Sequence, residues 1–379
     1  MSSALRILIP FLAAAASLLA SENAFYGAAP DDSHPWCVHD RNRPLPVAVT
    51  PGETASQPPS DAVVLFDGTS LDAWENEKDN KPVPARWEIV NGALRVVPKT
   101  GMLRTKRQFG DCQLHIEWAT PKDVTGQSQG RGNSGVFFMG GRYEVQVLDC
   151  YQNTTYSDGY AGAIYAQNPP LVNATRPSGV WQTYDIVFHT PRFDQKGAVT
   201  DRGSITVFLN GVLIQDHWLF EGRTDWKVRA KFSPHAPVGP IELQDHGNPT
   251  QFRNIWVREL APVHTATPAE AAAQRKATSA KLLAEASKAA SPIDSLLLKM
   301  ESLIYVSDKN VLAAAADQAA KLIAGYRVLD RHALPAKAGE LRTLRNAFNY
   351  MSNAKLAPAN AFPASSIEEL MKCAGIELP

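Results

Sequence analysis

The chain carries no net charge, its 38 Lys and Arg being matched by 38 Asp and Glu. That balance removes the electrostatic footprint a nucleic acid or an anionic membrane would need, so neither is expected as the main partner. Cysteine is scarce: Cys37, Cys112, Cys150 and Cys373 are too far apart for a zinc motif. They leave open either free buried thiols or up to two disulfides, with three pairings and nothing to choose among them. Long apolar runs are missing except at the start, where Arg6 precedes a run from Ile7 to Ala20 rich in Ala and Leu. This run is short for a membrane span and reads as a signal peptide over residues 1–24, cleaved among the small residues from Ala16 to Ala24, an uncleaved anchor being the alternative. No cysteine follows it to carry a lipid. The expectation is a periplasmic or secreted protein with no stable membrane span after cleavage.

Helical periodicity is nearly absent from residue 62 to residue 260. Short alternating runs fill that stretch instead. Arg86–Val90 leads through Asn91-Gly92 into Ala93–Val97, and Ser204–Leu209 leads through Asn210-Gly211 into Val212–Gln215, both hairpin signals. In Gln113–Trp118 the residues Leu114, Ile116 and Trp118 share one face, opposite Gln113, His115 and Glu117. About a dozen such strands predict an all-β domain over residues 61–262, a two-sheet antiparallel sandwich or jelly roll. Residues 25–60, rich in Pro, Asp and Ser, show no period and read as an extended arm or linker. From residue 263 to 379 the composition turns to Ala, Lys and Glu, and Leu296, Leu297, Met300, Leu303 and Ile304 recur at helical steps. This predicts a small C-terminal α-helical bundle, serving packing or self-association.

Three polar clusters in the β region are candidates for chemistry. Gly132-Asn133-Ser134-Gly135 precedes a strand, its glycines allowing close approach of a ligand to the backbone. In Tyr143–Cys150, Glu144 and Gln146 share a face, and Asp149 joins them only if a one-residue bulge restores the phase. Gln244 and His246 share a strand face, and His can exchange a proton near neutral pH. Arg253, in Phe252-Arg253-Asn254-Ile255, is a fixed cation able to hold an oxyanion. Trp74, Trp181 and Trp226 are candidates for stacking on a sugar ring. Glu144, Asp149 and His246 could also ligate a divalent metal ion, although their spacing is diagnostic of none.

The Glu144, Gln146, Asp149 spacing is similar to the E-x-D-x-x-E strand of jelly-roll β-glucanases, but Gln in the middle place and Asp in the last put ordinary double displacement in doubt. A closer likeness covers residues 35 to 260. Leu65-Phe66-Asp67-Gly68, Asn133-Ser134-Gly135, Tyr143-Glu144-x-Gln146, Trp181, Asn210-Gly211, Leu243-Gln244-x-His246-Gly247 and Phe252-Arg253-Asn254-Ile255 occur in one order. In these motifs the chain resembles the 3-keto-disaccharide hydrolase family. The resemblance implies a concanavalin A-like jelly roll acting on glycosides oxidised to a ketone at sugar carbon 3. Such a ketone acidifies the proton on carbon 2, so a base can remove it, the enolate can expel the glycosidic oxygen, and water can add back. His246, or Glu144 with His246 as its partner, is then the expected base, Asp149 the proton donor, and Arg253 with Gln244 the stabilisers of the enolate. Asn133, Gln146 and Trp181 would bind substrate. The alternatives are a non-catalytic, lectin-like sugar-binding module and a conventional glycoside hydrolase.

Overall fold

Asn91 and Gly92 both have positive φ, as do Asn210 and Gly211, so each pair closes a two-residue hairpin whose twist matches its strands. Hairpins of this kind build two antiparallel sheets. In spatial order the larger runs Val212–Leu219, Ser204–Leu209, Gln182–His189, Cys112–Ala119, Gln251–Glu259, Ala93–Arg95 and Glu88–Val90, with Val63–Phe66 also paired to Gln251–Glu259. The smaller runs Lys81–Pro84, Trp74–Lys78, Leu103–Thr105, Glu242–Leu243, Ser134–Phe138 and Tyr143–Val147. These descriptions come from a computed structural model, which describes residues 24–261, 266–330 and 332–377. The signal peptide expected over residues 1–24 lies, but for Ala24, outside the described residues.

The period of two decides which side chains enter the sandwich. Leu114, Ile116 and Trp118 of the larger sheet and Val136, Phe138, Tyr143, Val145 and Val147 of the smaller all lie in one buried cluster. Phe138 stacks on Phe188 with ring centroids 4.4 Å apart, joining the two sheets. Each such large apolar side chain contributes about 1.5–3 kcal/mol through burial. Trp74 belongs here too: it is 1% exposed and its Nε1 donates to the Leu65 carbonyl at 2.8 Å. The expectation that Trp74 presents a sugar-stacking face is therefore corrected. All four cysteines are free thiols, with Cys37, Cys112 and Cys150 buried.

The chain divides into two units, the sandwich from Val47 to Pro262 and a second unit combining the residues before Val47 with those after Pro262. Among the described residues, five α-helices form the second: Pro268–Ala286, Pro292–Tyr305, Lys309–Arg327, Ala338–Asn353 and Ala364–Cys373. Each of the first three starts on a side-chain cap, Thr267, Ser291 and Asp308, which satisfies amide groups the helix leaves unpaired. The arm read as one stretch over residues 25–60 is thus divided between the units. Its first part is gripped by the helix Pro292–Tyr305, where Arg41 pairs with the buried Glu301 and Asn42 Nδ2 donates to Glu301 at 2.7 Å. The Tyr305 hydroxyl donates to Asp40 at 2.6 Å. Among the described residues no helix is long and apolar enough to cross a membrane.

Candidate functional site

On the strand Tyr143–Val147, the odd-numbered residues enter the core, so Glu144 and Gln146 stand on the outer face of the smaller sheet. Its neighbour Ser134–Phe138 pairs in unbroken register, setting Gly135 opposite Gln146 and Phe137 opposite Glu144. Glu242 pairs with Phe137 in turn. Beyond the other edge Val145 bridges Ile164, and the Tyr165 amide donates to the Glu144 carbonyl at 3.3 Å. Loops rise around this floor and enclose a cleft of about 580 Å³. Asn133, Glu144, Gln146, Gln244 and His246, all singled out from the sequence, line it together.

Glu144 is buried, and its carboxylate has no hydrogen-bond partner among the described residues. Burial alone pushes its pKa up from 4.5 to about 8, since an ionised carboxylate loses water there without gaining a compensating donor. The absence of a side chain at Gly135 makes room for it: a Cβ there would lie 2.5 Å from Glu144 Oε1. Gln244 adds a second unmet group. Its Oε1 is buried in the cleft wall without a partner among the described residues, while its main chain is held by Gly135 and Ser134. A buried acceptor left open on a cleft is a place for a ligand hydroxyl. His246 is exposed at the rim.

Gln129 organises the amides and was missed from the sequence. Its Oε1 accepts from Gln146 Nε2 at 2.9 Å, its main-chain carbonyl accepts from Asn133 Nδ2 at 2.7 Å, and its own Nε2 donates to Thr155 and Gly159. Tyr156, Tyr165, Arg223, Asp225 and Trp226 also line the cleft. These side chains come from irregular segments, where no periodicity marks them. Glu242, at the floor's far side, likewise has a pKa raised by burial, to about 7. Its neighbour Arg104 is taken up by Glu75 and Glu77.

Three expected site residues lie elsewhere. The strand ends at Val147, and Val147 and Leu148 are both buried, so the phase does slip. The slip carries Asp149 into a different contact: its carboxylate accepts from Arg131 Nε at 2.8 Å and from the Ser178 hydroxyl at 2.6 Å. Asp149 does not line the cleft, and the pairing of its carboxyl with Glu144 expected from a bulge is corrected. Arg253 lies on the larger sheet, opposite Glu117 in register, on the face turned away from the core. It donates to Glu117 Oε2 at 2.6 Å and covers the Trp181 ring at 4.1 Å, which accounts for both residues outside the cleft. Among the described residues no three His, Cys, Asp or Glu side chains gather as a metal site, so Glu144, Asp149 and His246 do not form the ligand set considered from their types.

Fold and cleft together define a two-sheet jelly-roll protein with a buried acid and a ring of amides on the face of its smaller sheet. Residues 61–258, over half of the chain, match the 3-keto-α-glucoside-1,2-lyase-like domain, and the chain belongs to that family. It is 24% identical to a 3-keto-disaccharide hydrolase of Bacteroides thetaiotaomicron, over 52% of this chain and 78% of the relative. A crystal structure from Parabacteroides distasonis, named a "putative glycosyl hydrolase", shares 46% identity and superposes with a TM-score of 0.55, covering 58% of this chain and 94% of the other.

Proposed function

We infer that this protein cleaves the glycosidic bond of 3-keto-glycosides in the cleft on the smaller sheet. The observation that carries the reading is Glu144: a buried carboxyl without a hydrogen-bond partner among the described residues, raised to about 8, facing a cleft that it shares with the amides of Asn133, Gln146 and Gln244 and with His246. A carboxylate so placed is a stronger base than an exposed one, suited to removing a proton made acidic by an adjacent ketone. Glu144 takes the proton from carbon 2, and His246 at the rim exchanges it with solvent. Gln244 Nε2 donates to the developing enolate, while Gln244 Oε1 and Asn133 Oδ1 accept from sugar hydroxyls, the Asn133 amide donors being held by Gln129. The C1–O bond then breaks, and water adds back across carbons 1 and 2. The relatives' names support this substrate class. The N-terminal run from Ile7 to Ala20 supports export to the periplasm or medium, which cell fractionation and the mass of the mature N-terminus would test.

The test is incubation with a 3-keto-disaccharide and with its unoxidised parent. Sugar release from the oxidised compound alone, with solvent deuterium entering carbon 2 of recovered substrate, is expected. Glu144→Gln and His246→Ala should each lower turnover by on the order of a hundredfold. Release from the parent at a similar rate would instead mean conventional hydrolysis. The exposed ring of Trp226 favours one second reading, a lectin-like module, which would retain both sugars and turn over neither.

A further inference from the structure

We propose that the hydrogen-bonded phenols of Tyr156 and Tyr165 protonate the departing glycosidic oxygen, an assignment that rests on the keto-glycoside reading above. With Asp149 held in its ion pair with Arg131, the reaction needs another proton donor. The placement of the two phenols supplies one. A second cavity, of about 340 Å³, adjoins the cleft and shares with it Tyr156, Tyr165 and Trp226. The two spaces differ in chemistry. The cleft holds the acid and the amides, which suit a keto-sugar ring. The adjoining space offers Trp226, 63% exposed and the one exposed tryptophan among the described residues, with Asp158, Lys227 and Arg229 around it. An aromatic platform rimmed with charges suits the leaving group, through stacking and hydrogen bonds. The bond to be broken then crosses the boundary between them, where the tyrosines stand.

Local structure places Tyr165 well for this step. The Val145–Ile164 bridge and the Tyr165 amide bond to Glu144 set Tyr165 beside Glu144, one chain further across the floor. Neighbours so related have Cβ atoms about 5 Å apart. The Tyr156 and Tyr165 hydroxyls are 2.8 Å apart, with the rings at 61°. One hydroxyl proton serves that bond, which leaves the other to be donated outward. Burial and the neighbouring phenol raise the pKa of Tyr165, so it is protonated at neutral pH. The glycosidic oxygen gains negative charge as the C1–O bond breaks, so the phenol proton passes to it in the same step.

The step balances. Glu144 takes the carbon-2 proton, the freed electron pair forms the C1–C2 double bond through the enolate, and the C1–O electrons leave with the oxygen. The phenol proton goes to that oxygen. In hydration the hydroxide part of water joins carbon 1 and its proton returns to the tyrosinate, while Glu144 gives its proton back to carbon 2.

Tyr165→Phe and Tyr156→Phe are to be assayed on two 3-keto-glucosides, one with a methoxide leaving group and one with 4-nitrophenolate, which departs without protonation. At least one variant should lose about a hundredfold in kcat on the methyl glycoside, the scale of a lost general acid, and stay near wild type on the nitrophenyl one. Deuterium exchange at carbon 2 should persist in that variant. Equal losses on both substrates, or none on either in both variants, would overturn the assignment while leaving the wild-type reaction in place. Tyr156 is exposed, so its variant reports even if Tyr165→Phe fails to fold. Wild-type protein that neither exchanges nor turns over either substrate would instead sink the keto-glycoside reading itself.

Discussion

Replacing Glu144 by Gln should make the protein more stable, and increasingly so as pH rises. Glu144 goes from a pKa of 4.5 when unfolded to about 8 in the fold. Below pH 4.5 the carboxyl is protonated in both states and contributes no pH dependence. Between 4.5 and 8 the unfolded chain has released the proton while the folded protein still holds it, so stability falls with each step in pH. The difference, 8 minus 4.5, is 3.5 units, or about 5 kcal/mol at 1.36 kcal/mol per unit. Water reaching the carboxylate from the cleft reduces this, and about 2–5 kcal/mol is expected. Gln keeps the shape and removes the titration. For a unit the size of the sandwich, each kcal/mol moves Tm by about 2–4 °C. The difference in Tm between Glu144→Gln and wild type should therefore widen by about 5–15 °C from pH 5 to pH 9, read by calorimetry. Wild-type kcat/KM for a keto-glycoside should rise over the same range as the base ionises, and the rise should be missing from the variant. A Tm difference that stays constant across this range would refute the claim that burial holds the proton on Glu144.

Gly135→Ala should lower turnover with the β-type circular dichroism unchanged, because the new methyl would sit 2.5 Å from Glu144 Oε1 and 2.7 Å from the Phe137 ring. A shift of about 1 Å in a catalytic group can cost a hundredfold. Asp149→Ala should destabilise the sandwich by about 3–5 kcal/mol, since it leaves the largely buried Arg131 without its carboxylate; an unchanged Tm would contradict the structural role. A chain comprising residues 47–262 should remain soluble and β-folded, because its core is complete without the helices. Aggregation of that chain would count against independent units.

The features legible in the sequence are those set by neighbours along the chain. Asn-Gly pairs announced both hairpins because few other residues accept two successive positive φ angles. Alternation placed Leu114, Ile116 and Trp118 in the core and put Glu144 and Gln146 on one outer face, because the strand period is two whatever its partners. Ordered motifs also pointed to the family that residues 61–258 match.

Tertiary structure decided everything that depends on which distant segment arrives opposite. Glu144 and Arg253 both lie on outer faces, but of different sheets, and strand pairing alone separates them. Asp149 has the right residue type for the cleft, yet Arg131 and Ser178 approach from loops and engage it first. Gln129 and Tyr165 gain their places from chain crossings that leave no periodic mark. The arm joins the helical unit because Arg41 meets Glu301, 260 residues away, and a charged pair so remote has no local signature. Local sequence sets the direction in which a side chain points; the pairing of remote segments determines what it meets there.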